Sequence, residues 1–95
     1  MELIEVINKI STMYRAELKK KGDIALALAK INEEFTIAQE NDWETMTHAR
    51  YLELDRERDR LEQDKRYHAM RAVAMSDVRE MFLELLDGEM TAKEE

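Results

Sequence analysis

This chain has few residues of the types that most often act in catalysis, and their spacing does not bring them together in one site. The 95-residue sequence has two histidines, His48 and His68, and no cysteine. On one helix these histidines would stand about 30 Å apart, because each residue adds 1.5 Å. Ser11 and Ser76 are the candidate serine nucleophiles, and no glycine-rich loop is present to hold a phosphate. We therefore expect no enzymatic activity.

Neither histidine has the neighbours that a metal site would need. A carboxylate-bridged pair of metal ions in a helical bundle uses Glu-x-x-His, but the position three residues before each histidine holds a threonine or a lysine. The spacing of Glu44 to His48, and of Asp64 to His68, suits a hydrogen bond on a helix face or half of a weak zinc site. We interpret both as surface pairs, and we predict no metal ion and no cofactor.

The net charge of −7 argues against direct nucleic-acid binding, because an acidic chain repels the phosphate backbone. The longest apolar run, residues 24–29, is far shorter than the roughly 20 residues that a membrane helix needs. Glu2 and Glu5 lie where a signal peptide carries Lys or Arg. Together with the absence of cysteine, these features predict a cytoplasmic protein that binds neither nucleic acid nor membrane.

The composition predicts an all-α fold. Proline is absent, glycine occurs twice, and the good helix formers Glu, Lys, Arg, Leu, Met and Ala dominate. Gly22 follows three lysines and precedes Asp23, which is typical of a helix end, a C′ glycine and the next N-cap. This pattern predicts helices over about 2–20 and 24–39, joined as an antiparallel helical hairpin with a positive φ at Gly22.

A long third helix is predicted over about 42–87. Asn41 and Glu44 have the spacing of a capping box at its start. Gly88 is predicted to end it, which leaves 89–95 as a frayed acidic tail. The single helical domain would then cover 1–88.

The third helix determines the expected architecture. It would span roughly 68 Å, against roughly 25–30 Å for each helix of the hairpin. Residues 55–66 are nearly all charged, and 69–86 are apolar again. A bend near 66–68 or at Ser76–Asp77 would close a four-helix bundle within one chain. The absence of a helix breaker favours a straight helix, whose coiled-coil-like C-terminal part meets a second copy. We therefore predict a three- or four-helix bundle, with the straight version forming a homodimer.

Four apolar residues of the C-terminal segment form the predicted interaction surface or dimer seam. They are spaced by three, four and three residues and therefore line one stripe of a helix: Met75, Val78, Phe82 and Leu85. A row of acidic residues forms its margin: Asp77, Glu80, Glu84 and Asp87. In the second helix, Phe35 lies on the regular apolar face and is predicted to belong to the core.

These features predict a small acidic helical module that binds a larger protein and modulates it. In composition the chain is similar in kind to the small proteins that phages and mobile elements make to redirect host machinery. It is also similar in kind to small bacterial regulators and adaptors. Two alternatives stay open. One is an acidic mimic of nucleic acid that inhibits a DNA- or RNA-binding protein, and the other is a structural spacer.

Overall fold

The computed structural model describes the backbone of residues 2–94 and the side chains of residues 2–90, and it contains two α-helices. Helix α1 runs over Leu3–Glu40 and helix α2 over His48–Glu94. No strand occurs in this part of the chain, so the predicted all-α class is confirmed. Within the same residues, neither helix has a stretch long and apolar enough to cross a membrane.

The predicted helical hairpin at Gly22 is wrong, and so is the three- or four-helix bundle built on it. α1 continues through this glycine over its 38 residues, and Gly22 does not have a positive φ. Glycine inside a helix costs only about 1 kcal/mol relative to alanine, which packing outweighs. The four–three spacing of buried and half-buried residues also continues across this point, through Tyr14, Glu17, Lys21 and Ile24.

The break after Glu40 lies where the sequence predicts it, but the next helix begins later. Asn41 does not cap α2, because its side-chain amide donates a hydrogen bond of 2.7 Å back to the carbonyl oxygen of Ile37. The N-cap is Thr47, whose hydroxyl oxygen accepts a hydrogen bond of 3.1 Å from the backbone N–H of Arg50. Residues 41–47 therefore form the connection between the helices.

This connection reverses the chain without glycine. Asp42 and Trp43 adopt φ angles of 52° and 64°, in the left-handed region that is costly for residues with a Cβ. The backbone N–H of Trp43 donates a hydrogen bond of 2.6 Å to the carbonyl oxygen of Ala38, which satisfies one acceptor at the end of α1.

α2 is a single helix of 47 residues, as the absence of a breaker predicts. It is not interrupted at 66–68 or at Ser76–Asp77, so the alternative that folds back does not form. The predicted end at Gly88 is wrong, because α2 continues through this glycine. Residues 89–94 are helical, the fraying predicted for 89–95 stays a prediction, and Glu95 lies outside the described residues.

The chain divides into two compact units, each built from a segment of α1 and a segment of α2. Unit 1 comprises Met1–Lys19 with His68–Glu95, and unit 2 comprises Lys20–Tyr67. Unit 2 has an apolar core of Leu28, Ile31, Leu54 and Leu61, against which Ile24, Ala27, Phe35 and Met46 pack. The charged stretch 55–66 therefore contributes Leu61 to a core and exposes most of its other side chains.

The interior of unit 1 is more polar. Its buried residues are Ile7, Ser11, Glu17 and Ala72. The guanidinium of Arg79 lies 5.8 Å from the centre of the Tyr14 ring, and Glu17 contacts both His68 and Arg71. Because Glu17 meets the start of this α2 segment and Tyr14 meets a later residue, the two segments of unit 1 run antiparallel.

Candidate interaction surfaces

The four residues that the sequence predicts as an interaction surface or dimer seam differ in how far they are buried. Met75 and Phe82 are half-buried, whereas Val78 and Leu85 are exposed. Met75 lines a groove of about 270 Å³ together with Ile10 and Met13 of α1. Part of the stripe therefore packs within the chain, against the N-terminal segment of α1.

A second apolar row lies on the outside of unit 1, and we call it the outer apolar row: Met70, Val73, Met81 and Leu85. These side chains are between 58% and 73% exposed. At about 100° of rotation per residue, Met70, Met81 and Leu85 lie on the face of α2 roughly opposite Ala72 and Arg79, which face α1, and Val73 lies at the edge of that face. The row continues at its edge into Val78, which lines the groove shared with α1.

A row of carboxylates flanks the outer apolar row, and we call it the carboxylate row: Asp77, Glu80, Glu84 and Asp87. All four side chains are exposed. Their spacing of three, four and three residues keeps them on one side of the helix. None forms a salt bridge with another described residue. Arg79, the only basic residue between 72 and 90, is turned inward over Tyr14. The outer face of this segment is therefore apolar and acidic.

A buried carboxylate connects the two segments of unit 1. Glu17 is 4% exposed, and its two oxygens accept hydrogen bonds of 2.5 Å from Nδ1 of His68 and 2.8 Å from Nε of Arg71. The hydrogen bond from His68, followed by that from Arg71, lowers the pKa of the Glu17 carboxyl below its ordinary value of 4.5. This network fixes the register of two packed helices.

The connection between the helices carries an aromatic cluster in unit 2. The rings of Trp43 and Tyr51 meet edge to face with centroids 5.8 Å apart, and Phe35 lies 6.4 Å from Trp43 and 5.5 Å from Tyr51. Beside the cluster is a groove of about 350 Å³, lined by the cluster residues Trp43 and Tyr51 and by Met46, Thr47 and His48. Trp43 remains 45% exposed.

The two histidines, which the sequence analysis interprets as members of surface pairs, have different surroundings in the structure. His68 is bound to Glu17, a partner that no local pattern indicates, while His48 lines the groove beside the aromatic cluster. Among the described residues, no three His, Cys, Asp or Glu side chains are arranged to hold a metal ion. The outer face of α2 in unit 1 and the aromatic groove in unit 2 both expose large apolar side chains.

Comparison with known proteins finds no family model, no curated protein and no solved structure that matches this chain.

Proposed function

We propose that this chain is a protein-interaction module without catalytic activity, which binds a larger protein through the outer face of α2 and alters its activity or assembly. The observation that carries the proposal is the outer apolar row, four large side chains that each expose more than half of their surface. Covering such a side chain stabilises a complex by roughly 1 kcal/mol. Methionine at two of the four positions suits a surface that adapts to a partner.

The carboxylate row indicates the chemistry of that partner. An apolar row flanked by unpaired carboxylates complements a helix whose own apolar stripe is flanked by lysine or arginine. A second copy of the chain complements it less well. In an antiparallel pair of outer faces, each carboxylate row would face its own copy, and like charges repel. In a parallel pair, the row would face a flank whose only cation within residues 69–90 is Arg71, which is bound to Glu17. The proposed occupant is therefore a basic amphipathic helix of the larger protein.

The test compares two substitutions that add the same charge to equally exposed apolar positions. Met81→Glu lies in the outer apolar row, and Leu26→Glu lies on α1 in unit 2, where Leu26 is 66% exposed. A partner captured by the wild type and identified by mass spectrometry should be retained by Leu26→Glu and lost by Met81→Glu. With that partner purified, Met81→Glu should raise the Kd by at least about tenfold. Unchanged binding by Met81→Glu would exclude this face.

The unpaired carboxylate row also favours a second candidate, an acidic mimic that occupies a nucleic-acid-binding groove. The two candidates respond oppositely to the same variants. A mimic should tolerate Met81→Glu, which adds negative charge, and should lose binding in Glu80→Gln/Glu84→Gln, with a steep dependence on salt. The helix-binding module should be damaged more by Met81→Glu than by the double substitution. Growth of the free protein beyond a dimer in light scattering would instead favour the structural spacer.

A further inference from the structure

The side chains that line the groove beside the aromatic cluster suit a cation carried on an aliphatic chain. Trp43 and Tyr51 stand at 75° to one another and form two of its sides. Met46, a flexible apolar side chain, forms another. Aromatic faces attract ammonium groups through the ring quadrupole, and tryptophan does so most strongly. The wall composition therefore suits an alkylammonium group better than an anion.

The backbone of the connection keeps this indole at the surface. Trp43 has a φ of 64°, and its N–H is tied to the carbonyl oxygen of Ala38. Phe35 contacts the indole edge to face, and its own ring carries the guanidinium of Arg58 at 4.9 Å. The chain thus already places one cation on this cluster, on the Phe35 ring, while Trp43 remains half-exposed beside the groove.

The connection beside the groove carries acidic side chains, and the lining of the groove includes the imidazole of His48. The segment 40–48 contains Glu40, Asp42 and Glu44, all exposed, and no lysine or arginine. The first arginine after this segment in the sequence is Arg50. Its guanidinium donates hydrogen bonds to both carboxylate oxygens of Glu34, at 3.0 and 3.1 Å, and to Glu53 at 2.9 Å. Three exposed carboxylates therefore lie within three residues of Trp43 along the chain, and the guanidinium of Arg50 is already paired.

We propose that this groove binds an alkylammonium group, in the form of a lysine side chain presented by a partner protein. The methylene stem would lie along Met46, and the ammonium would lie against the faces of Trp43 and Tyr51. This site belongs to unit 2 and does not depend on the function proposed for the outer face of α2. It would give the chain a second, chemically distinct contact.

The experiment uses Trp43, the only tryptophan in the chain, as its own reporter. The full-length protein is titrated with a short peptide containing one lysine and with the same peptide carrying norleucine in its place. Indole fluorescence and the NMR shift of the indole Nε1–H are followed. The lysine peptide should bind saturably and about five- to tenfold more tightly than the norleucine peptide. Tyr51→Leu should remove that preference and Tyr51→Phe should keep it, while Tyr67→Leu, at an exposed tyrosine outside the groove, should leave it unchanged.

A second pair of probes separates a protein side chain from a free small molecule. Choline and its uncharged carbon analogue 3,3-dimethylbutan-1-ol have nearly the same shape. If choline binds more tightly than the lysine peptide, the site for an alkylammonium group stands but its source is a free ligand, which overturns the partner assignment. Equal affinity for lysine and norleucine, or no saturable response up to about 10 mM of any probe, would overturn the proposal altogether.

Discussion

Units 1 and 2 are built from the same two helices, yet they place their large apolar side chains differently. Unit 2 buries Leu28, Ile31, Leu54 and Leu61 together, whereas the buried residues of unit 1 include Ser11 and Glu17. Four large apolar side chains of unit 1 lie instead on its outside, in the outer apolar row. Since apolar burial is the main source of stability, unit 2 should be the more stable unit and unit 1 the one with more to gain from a partner.

The strongest test of this comparison is to damage the core of unit 2. Leu54 is only 1% exposed, so Leu54→Ala should lower the free energy of unfolding by about 2–5 kcal/mol. Urea denaturation followed by Trp43 fluorescence reports on unit 2 directly. The matched control, Leu26→Ala at an exposed position of the same unit, should cost under about 0.5 kcal/mol. Equal losses in the two variants would show that the apolar cluster is not what holds unit 2 together.

A smaller effect is expected where α2 begins. Thr47→Ala removes the side-chain oxygen that accepts the N–H of Arg50, and loss of an N-cap typically costs about 0.5–2 kcal/mol. Thermal unfolding of this variant should be compared with that of Thr45→Ala, a threonine in the same connection for which no such hydrogen bond is formed. If the two variants melt together, α2 is not capped by Thr47.

Gly22→Ala should stabilise the protein, in contrast to the strain expected if this residue ended a helix. A Cβ at Gly22 would meet no heavy atom within 4 Å, and α1 is continuous there. The free energy of unfolding should rise by about 0.5–1 kcal/mol. Gly88→Ala is the counterpart in unit 1, with equally open space, and should gain less because helix ends fray. A loss of stability in Gly22→Ala would contradict the continuous helix.

Because the interior of unit 1 contains the carboxylate of Glu17, the free energy of unfolding should depend on pH. Because the pKa of Glu17 is lowered in the folded protein, its carboxylate adds stability that is complete above the ordinary value of 4.5 and is lost as pH falls through the lowered pKa. The free energy of unfolding, measured by denaturation followed by circular dichroism, should therefore fall more on acidification in the wild type than in Glu17→Gln. Glu33→Gln, at an exposed carboxylate of α1, should retain the wild-type dependence. If the free energy of unfolding changes with pH in the same way in the wild type and in Glu17→Gln, the Glu17 carboxylate is not the cause of the pH dependence.

The sequence allowed the fold class and the break after Glu40 to be predicted, but not the number of helices. Gly22 and the lysines before it are a local signal for a helix end. The competing signal was the four–three spacing that continues through Glu17 and Lys21. It is easily missed, because charged residues occupy positions where apolar ones are expected. Packing of α1 along its length overrode the local preference of one glycine.

The outer surface was predictable only in part. The spacing of the carboxylate row is local, so its common face follows from the sequence. The large apolar residues of α2 fall on two faces, and the sequence does not say which face α1 will cover. The stripe that the sequence predicts therefore joins the half-buried Met75 and Phe82 to the exposed Val78 and Leu85. The pairing of Glu17 with His68 joins residues 51 apart and has no local signal.

The connection between the helices also has a consequence for how the chain folds. Glu34 and Arg50 are joined across 16 residues, whereas Glu17 and Arg71 are joined across 54. Closing the longer loop costs about 1 kcal/mol more in chain entropy. Contacts near the connection should therefore form first, and those nearer the chain ends should follow. In a stopped-flow refolding experiment, the Trp43 signal should lead the circular dichroism signal. During synthesis, unit 2 could assemble once residue 67 has emerged from the ribosome, before most of the α2 segment of unit 1 has been made.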